Sequence, residues 1–511
     1  MKVNQLRAGV VMTYVNIALG SLIPFFYTPI MLRILGQSEY GLYSLANSVV
    51  GYLSLLSFGL GSTIVRYIAK YRAQGEKERE ERVVGLFIVM YSFLAVLVLV
   101  VGWIISCNVE PIFHRGLNAT EISEIAVLVR IMAFNTAISF PISVFGSIVI
   151  AHEKYVYRQA INILSTVVAP CGNLIALYLG FGSVGLSVVS TIIQFAMLPL
   201  NAIYCFKILH IHPKFRRLPV GLIKELVRFS AFVFLGSVVD MLFWAADKVI
   251  LGMLASTTAV AIYNVGASFN SMMTNLSTAF SGVLTPKVTI MVAKAATPKQ
   301  LTELFIRVGR LQYLLIALAL SGFIVFGKQF LVLWAGPEYE SAYYIALVTL
   351  IPLSIPLIQN TGISIVMAQN KHQFRSIVYL IIAIVNVITT YLAVPRFGSI
   401  GAAVCSGASY LIGQGLIMNT YYYKVTKIDI PAFWKNIGKM SLIPIIMVAV
   451  GLWLDTLLNF STWWAMILAI AVYTAIYSLS MYFFIMNNYE KDVIKQPVLK
   501  IFRKIKKPVK H

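Results

Sequence analysis

Charge is scarce in this sequence. Only 12% of its 511 residues are Asp, Glu, Lys or Arg, about half the share of a soluble domain, which excludes a chain wrapped in a solvated surface. Acids are scarcer still, 19 against 41 Lys and Arg. Cysteine is nearly absent. Cys107, Cys171, Cys205 and Cys405 are scattered, mostly inside apolar runs, so neither a disulfide framework nor a thiolate metal site is expected. Histidine is equally sparse, and His210 and His212 flank Ile211 in a basic loop with no further ligands nearby. No metal and no cofactor is expected. Extended polar segments are also missing. The longest stretch assigned below to the outer side, about Asn108 to Glu124, is too short for a folded domain.

What the chain has is apolar residue: 59% of the total, with a mean hydropathy of +0.82. Apolar intervals of about 20 residues, enough to cross a bilayer, recur along the whole length. Fourteen are read: 10–32, 42–64, 83–106, 125–151, 160–180, 184–206, 229–252, 259–285, 308–327, 343–368, 376–395, 400–423, 440–457 and 462–486. The weak alternating segments of a membrane β-barrel are not seen. The fold class expected is all-α and polytopic, with about fourteen transmembrane helices. The first interval is too long for the apolar core of a signal peptide and lacks a small-residue cleavage site, so it is read as a span.

The net charge of +22 would suggest nucleic acid in a soluble protein. Its distribution argues otherwise. With the N-terminus placed inside the cell, 35 of the 41 Lys and Arg lie in inner segments, leaving Arg33, Arg115, Arg130, Lys248, Lys328 and Arg396. This bias predicts both termini in the cytoplasm and an even number of spans, with no nucleic acid partner. The run EKEREER, Glu76 to Arg82, reads as a solvated cytoplasmic turn. The basic loop Lys207 to Arg228 and the tail Lys500 to Lys510 are expected to lie on anionic lipid.

The chain also repeats itself. FGSVG, Phe181 to Gly185, returns as FGSIG, Phe397 to Gly401. AHEKYVYR, Ala151 to Arg158, parallels AQNKHQFR, Ala368 to Arg375, and LRILG, Leu32 to Gly36, parallels DKVILG, Asp247 to Gly252. The near-constant offset indicates a duplicated six-helix unit. An even number of spans per copy gives both copies the same orientation, related by a pseudo-twofold axis along the membrane normal. The expected organisation is an N-lobe at 1–228, a C-lobe at 229–423, two extra helices at 424–486 and a basic tail at 487–511. Two lobes around a cavity suit alternating access. A channel is disfavoured, because no filter-like pore loop appears.

Three segments then carry a resemblance. RILGQSEYGLYSLANSVVGYLSLLSFGLGSTIVRYIAKY (Arg33 to Tyr71), DKVILGMLASTTAVAIYNVGASF (Asp247 to Phe269) and FGSIGAAVCSGASYLIGQGLIMNTYYYK (Phe397 to Lys424) resemble Wzx-type polysaccharide-export flippases. These belong to the multidrug/oligosaccharidyl-lipid/polysaccharide flippase superfamily. The resemblance covers essentially the whole chain. It implies a bacterial or archaeal cell-membrane protein, not an enzyme, that moves a polyprenyl-diphosphate-linked oligosaccharide from the cytoplasmic to the outer leaflet. Such a protein serves O-antigen, capsule or exopolysaccharide synthesis. The implied partners are that lipid-linked glycan, membrane lipids and a polysaccharide polymerase or its associated machinery, with the transporter a monomer. Two other transporters share the architecture: a lipid II flippase of the MurJ type, whose several first-helix arginines are missing here, and a multidrug antiporter, which favours an acidic, aromatic cavity. A membrane glycosyltransferase or polymerase is the enzymatic alternative, disfavoured by the short outer loops.

An anionic diphosphate crossing hydrocarbon directs attention to charges inside the spans, which are expensive there and usually face a cavity or a partner. Arg33 and Lys248 end the first and seventh spans at matching places. They read either as paired cations at the outer mouth, suited to a diphosphate, or as side chains snorkelling to the interface. Arg130, in the fourth span, and Arg66, at the inner end of the second, are further substrate-binding candidates. Asp240 is read as the most buried charge, with Asp247 two turns on along the same face. The pair is the candidate ion-coupling site, with a salt bridge as the alternative. Pro24, Pro29, Pro141 and Pro356 are candidate hinges.

Overall fold

The computed structural model describes residues 5–495, apart from 58, 217, 220, 283–284, 295, 370, 458–461 and 494. Of the expected basic tail, Lys500 to Lys510 therefore lies outside the described residues. Those that are described form helices and connecting turns, with no strand among them.

The chain opens with α1 (Gln5–Leu53), a single run with a break at Gly36 (φ 73°, ψ 176°), followed by a 3-10 turn at Ser54–Ser57 and by α2 (Leu60–Ala73). Next come α3 (Lys77–Cys107), α4 (Val109–Phe113), α5 (Ala119–Ala151), α6 (Tyr155–Tyr178) and α7 (Gly182–Ile203). Beyond the basic loop lie α8 (Leu222–Trp244), α9 (Ala246–Leu254), α10 (Thr257–Gly282) and α11 (Thr285–Ala293). They are followed by α12 (Pro298–Trp334), α13 (Ala342–Ile358), α14 (Asn360–Ala368), α15 (His372–Tyr410) and α16 (Asn419–Lys424). The last two are α17 (Ile430–Leu457) and α18 (Trp463–Ser480). All fourteen expected intervals fall mainly on helix. Judged by length and hydropathy, nine helical stretches among the described residues can cross a membrane, ten when the bent pair α13–α14 counts as one span.

The starts follow local chemistry. Asn118 caps α5 reciprocally: its side chain accepts from the Glu121 backbone, and the Glu121 carboxylate accepts from the Asn118 N–H. Thr297 and Gln300 do the same for α12, with Pro298 at its first position. Glycines of the repeated pentapeptide take matching shapes, Gly182 at φ +55° and Gly398 at φ +56°, a region that L side chains avoid.

Packing divides the chain into two compact units, one of Met1–Val265 with Ala383–Cys405 and one of Gly266–Ile382 with Ser406–His511. In the first, α5 touches α1, α2, α3, α6 and α7. Lipid gives helices no hydrophobic reason to associate, so small residues that permit close approach matter. A Cβ on Gly102 of α3 would sit 2.4 Å from Cβ of Ala133 on α5. In the second unit α12 packs against α13, α14, α17 and α18, around a core that includes Phe305, Tyr422 and Phe433.

One expectation about charge is corrected here. The run Glu76–Arg82 is not wholly solvated: Glu80 and Glu81 are each only 6% exposed. Glu80 lies 3.2 Å from Nε2 of His152, and the Glu81 carboxylate lies 3.5 Å from Nζ of Lys214. The Glu81 carbonyl also accepts the Lys214 backbone N–H. The start of α3 is thus packed under two loops.

Candidate functional site

The four cations picked from the sequence end in different settings. Arg33, just before the break in α1, and Arg66, on α2, are exposed. Arg130 on α5 turns towards α3, where its Nε donates to Ser106 Oγ at 2.6 Å and its guanidinium lies 5.0 Å from the Trp103 ring. That is aromatic anchoring of an exposed arginine. Lys248 on α9 is half-buried and donates to Asn264 Oδ1 at 3.3 Å. Asn264 donates in turn to the Tyr40 hydroxyl at 2.7 Å and to Ser44 Oγ at 3.2 Å. Lys248 is thereby tied into a polar network that joins segments about 220 positions apart in the chain.

That network lies on a seam within the first unit. Ser44 and Asn264 are 220 positions apart in the chain, and Ser38 and Thr257, 3.1 Å apart, are separated by 219. Both offsets match the internal repeat. Glu121 Oε1 accepts from Ser38 at 2.6 Å and from Thr257 at 2.7 Å. The backbone itself is close: a Cβ on Gly41 would fall 1.9 Å from the Thr257 carbonyl oxygen.

The acids reverse their expected order. Asp240 is exposed on α8, whereas Asp247 on α9 is 1% exposed. The sequence reading placed both on one continuous face. The helix instead breaks between them at Ala245 (φ −120°, ψ −26°), and the register changes there. Asp247 Oδ2 accepts the Tyr263 hydroxyl, and Oδ1 accepts the Thr390 hydroxyl at 3.3 Å. Thr390 and Asn386, one helical turn apart on α15, are both fully buried. Asp247 is thus a buried carboxylate with two hydroxyl donors and Lys248 next to it in the chain.

The four prolines behave differently from one another. α1 stays helical through Pro24 and Pro29 and breaks at Gly36, and α5 runs unbroken through Pro141. Pro356 precedes a real bend, where α13 and α14 meet at 43°. This break leaves carbonyls of the last turn of α13 without helical donors. Ser277 donates to the Leu357 carbonyl at 2.7 Å, and Asn360 and Gln312 donate to Ser277 Oγ at 2.8 and 3.3 Å. No motif announced that brace, although polar residues inside apolar spans are a usable signal.

Two further features of the second unit escaped the sequence reading. Arg310 and Glu490 form a buried pair, with Nε to Oε1 at 2.5 Å and Nη2 to Oε2 at 2.9 Å. An apolar furrow of about 770 Å³ runs between α17 and α18, where Ile446, Val450, Leu454, Leu468, Val472 and Phe484 form much of its wall. Tyr473 and Ser480 are its polar lining residues. The sequence marks both helices only as two extra helices after the duplicated unit.

Comparison with known proteins adds family context to this geometry. A family model described as polysaccharide biosynthesis protein matches residues 6–292. The uncharacterized membrane protein EpsK of Bacillus subtilis is 20% identical over 499 residues, covering 94% of each chain. A putative O-antigen transporter of Shigella flexneri is 21% identical over 408 residues, 78% of this chain and 92% of that protein. Among solved structures, the lipid II flippase MurJ in an inward closed conformation superposes with a TM-score of 0.73 at 15% identity, covering 93% of this chain and 98% of that one. An inward-facing multidrug transporter of the MATE family gives 0.58 at 14% identity, covering 84% and 99%. At these identities the structures speak for a shared fold.

Proposed function

Because the chain belongs to the polysaccharide biosynthesis protein family, within the multidrug/oligosaccharidyl-lipid/polysaccharide flippase superfamily, we propose that its cargo is a polyprenyl-diphosphate-linked oligosaccharide. The cargo moves from the cytoplasmic to the outer leaflet by alternating access of two lobes. The observation that carries this reading is the apolar furrow between α17 and α18. A cargo with a long prenyl chain needs an apolar track at the protein's edge. A small organic cation needs none, which favours lipid-linked glycan over multidrug efflux.

Two other observations support parts of the scheme. Residues at matching places of the repeat touch one another, Ser38 with Thr257 and Ser44 with Asn264, as a twofold axis passing between two lobes would produce. The buried Asp247, held by Tyr263 and Thr390, suits the coupling role better than the exposed Asp240. Loading it with a proton or a metal cation changes the charge buried beside Lys248 and biases one lobe arrangement over the other. Arg33, Arg66 and Lys248 remain the candidate diphosphate contacts, both termini are proposed to be cytoplasmic, and the flippase is proposed to act as a monomer alongside a polysaccharide polymerase.

The test uses the purified chain in liposomes with a fluorescent polyprenyl-diphosphate glycan. Exchange of the probe between leaflets is expected. Absence of exchange together with efflux of organic cations would overturn the reading.

A further inference from the structure

We propose that the first unit holds a sugar-reading pocket, formed where α1, α5 and α7 meet, that selects a neutral, hydroxyl-rich glycan residue. A cavity of about 210 Å³ opens there, and Asn47, Ser54, Asn135, Thr136, Ser187 and Ser190 supply most of its polar wall. Among the described residues, no Lys, Arg, Asp or Glu lines it. A polar hollow between membrane helices favours an occupant that hydrogen-bonds with its wall. In the absence of cargo that occupant is water.

The hydrogen bonds within the wall define what the occupant must offer. Several donors are already committed to the helices' own carbonyls. Ser54 donates to Gly51 at 2.6 Å, Thr136 to Met132 at 3.0 Å and Ser187 to Ser183 at 3.1 Å. One amide N–H of Asn47 is spent on the Tyr43 carbonyl at 3.1 Å. The three hydroxyls therefore present lone pairs to the cavity, while Asn47 presents its carbonyl and its second N–H. Asn135 and Ser190 add groups that can both donate and accept. An uncharged wall disfavours phosphate and carboxylate, whose charge nothing in it offsets. It suits sugar hydroxyls, each bringing one donor and two lone pairs, and such a ligand replaces water without losing hydrogen bonds. Met132, part of the same wall, offers apolar surface to the C–H side of a pyranose ring.

This assignment rests on the transport reading above and sharpens it. The diphosphate is held elsewhere by cations, while the pocket reads the sugar by hydroxyl geometry. It predicts discrimination between a neutral hexose and a uronic acid on the same lipid.

The experiment measures binding of three lipids to the full-length protein in detergent: a short-chain prenyl diphosphate bearing one neutral hexose, the same lipid bearing a hexuronate, and the bare prenyl diphosphate. The readout is the ratio of each glycolipid's affinity to that of the bare lipid. The hexose ratio is expected to be at least about tenfold and the hexuronate ratio near one, because losing even one partner of a polar site is strongly felt. Asn135→Leu, and separately the near-isosteric Thr136→Val, should bring the hexose ratio towards one. The second variant guards against misfolding in the first. A hexose ratio near one in the wild type, retention of the ratio in both variants, or a preference for hexuronate would each overturn the pocket assignment alone. Failure of all three lipids to bind would overturn the transport reading, and the pocket with it.

Discussion

Replacing Glu490 with alanine should loosen the segment that begins at Asn487, by an amount the structure sets. Glu490 is 1% exposed in its side chain and its partner Arg310 10%. The carboxylate receives two guanidinium N–H bonds and also caps the backbone N–H of Asn487 at 3.0 Å. Removing it strands a buried arginine, whose remaining contacts are Asn436 Oδ1 and the Ile485 carbonyl, both at 3.3 Å. Breaking a buried pair in this way costs ~3–5 kcal/mol. The full cost appears only if Arg310 stays dry. The segment from Asn487 onward can instead peel away and admit water, which limits the loss to the local opening energy. Two measurements separate these outcomes. If the segment holds, the melting temperature falls, at roughly 1–2 °C per kcal/mol by extrapolating the size trend to this chain length, so by about 3–10 °C. If it peels, trypsin cuts sooner at Lys491 while the melting temperature moves less. The double variant Arg310→Met with Glu490→Leu should recover more than half of either loss, since an apolar pair of similar volume removes the stranded charge. A single variant that melts within about 1 °C of the wild type and resists trypsin equally would refute the argument.

Other expectations follow from the same coordinates. Gly398→Ala should cost about 1–3 kcal/mol from backbone strain alone, because no atom stands within 4 Å of the new Cβ. Gly182→Ala should cost more, because its Cβ would also fall 2.2 Å from the Glu39 carboxylate that holds the Ser183 N–H; thermal unfolding of the pair checks the order. Asp247→Asn should abolish dependence of lipid exchange on an ion gradient while Asp240→Asn leaves it, and liposome exchange with and without the gradient decides between them. Burial, chiefly, and then Arg72 and Lys154 lower the pKa of His152 below its ordinary 6.5, against the hydrogen bond that its Nδ1–H donates to the Ile148 carbonyl, with Glu80 at 3.2 Å. A depressed folded-state value means the stabilising contribution is complete above pH 6.5 and is lost as pH falls below it. The wild type should therefore lose stability on acidification through that range, and His152→Gln should flatten the slope in melting curves against pH.

The membrane class, the helical intervals and the internal repeat were legible because they rest on one-dimensional quantities: apolar length, the sign and placement of charge, and recurrence at a constant offset. The pentapeptide is the clearest case, since its two glycines adopt nearly the same positive φ. Hinges were less legible. Proline marks where a helix is weakened, yet whether it bends depends on what packs beside it. Pro24, Pro29 and Pro141 leave their helices continuous, while Pro356 stands at a break braced by Ser277. The pairing of Arg310 with Glu490 joins positions 180 apart, and no local pattern announces such a partnership.

By itself the sequence determined that this chain is helical and crosses a membrane many times, because hydropathy survives any arrangement of the helices. Only the tertiary structure decided which acid is buried. A break at Ala245 rotates α9 relative to α8, so that Asp247 faces Tyr263 and Thr390 while Asp240 is exposed. It also decided that Lys248 joins a polar network and that serines and asparagines from three helices line one pocket. Burial and hydrogen bonding are properties of neighbours in space, and a helix turned by one residue exchanges them all.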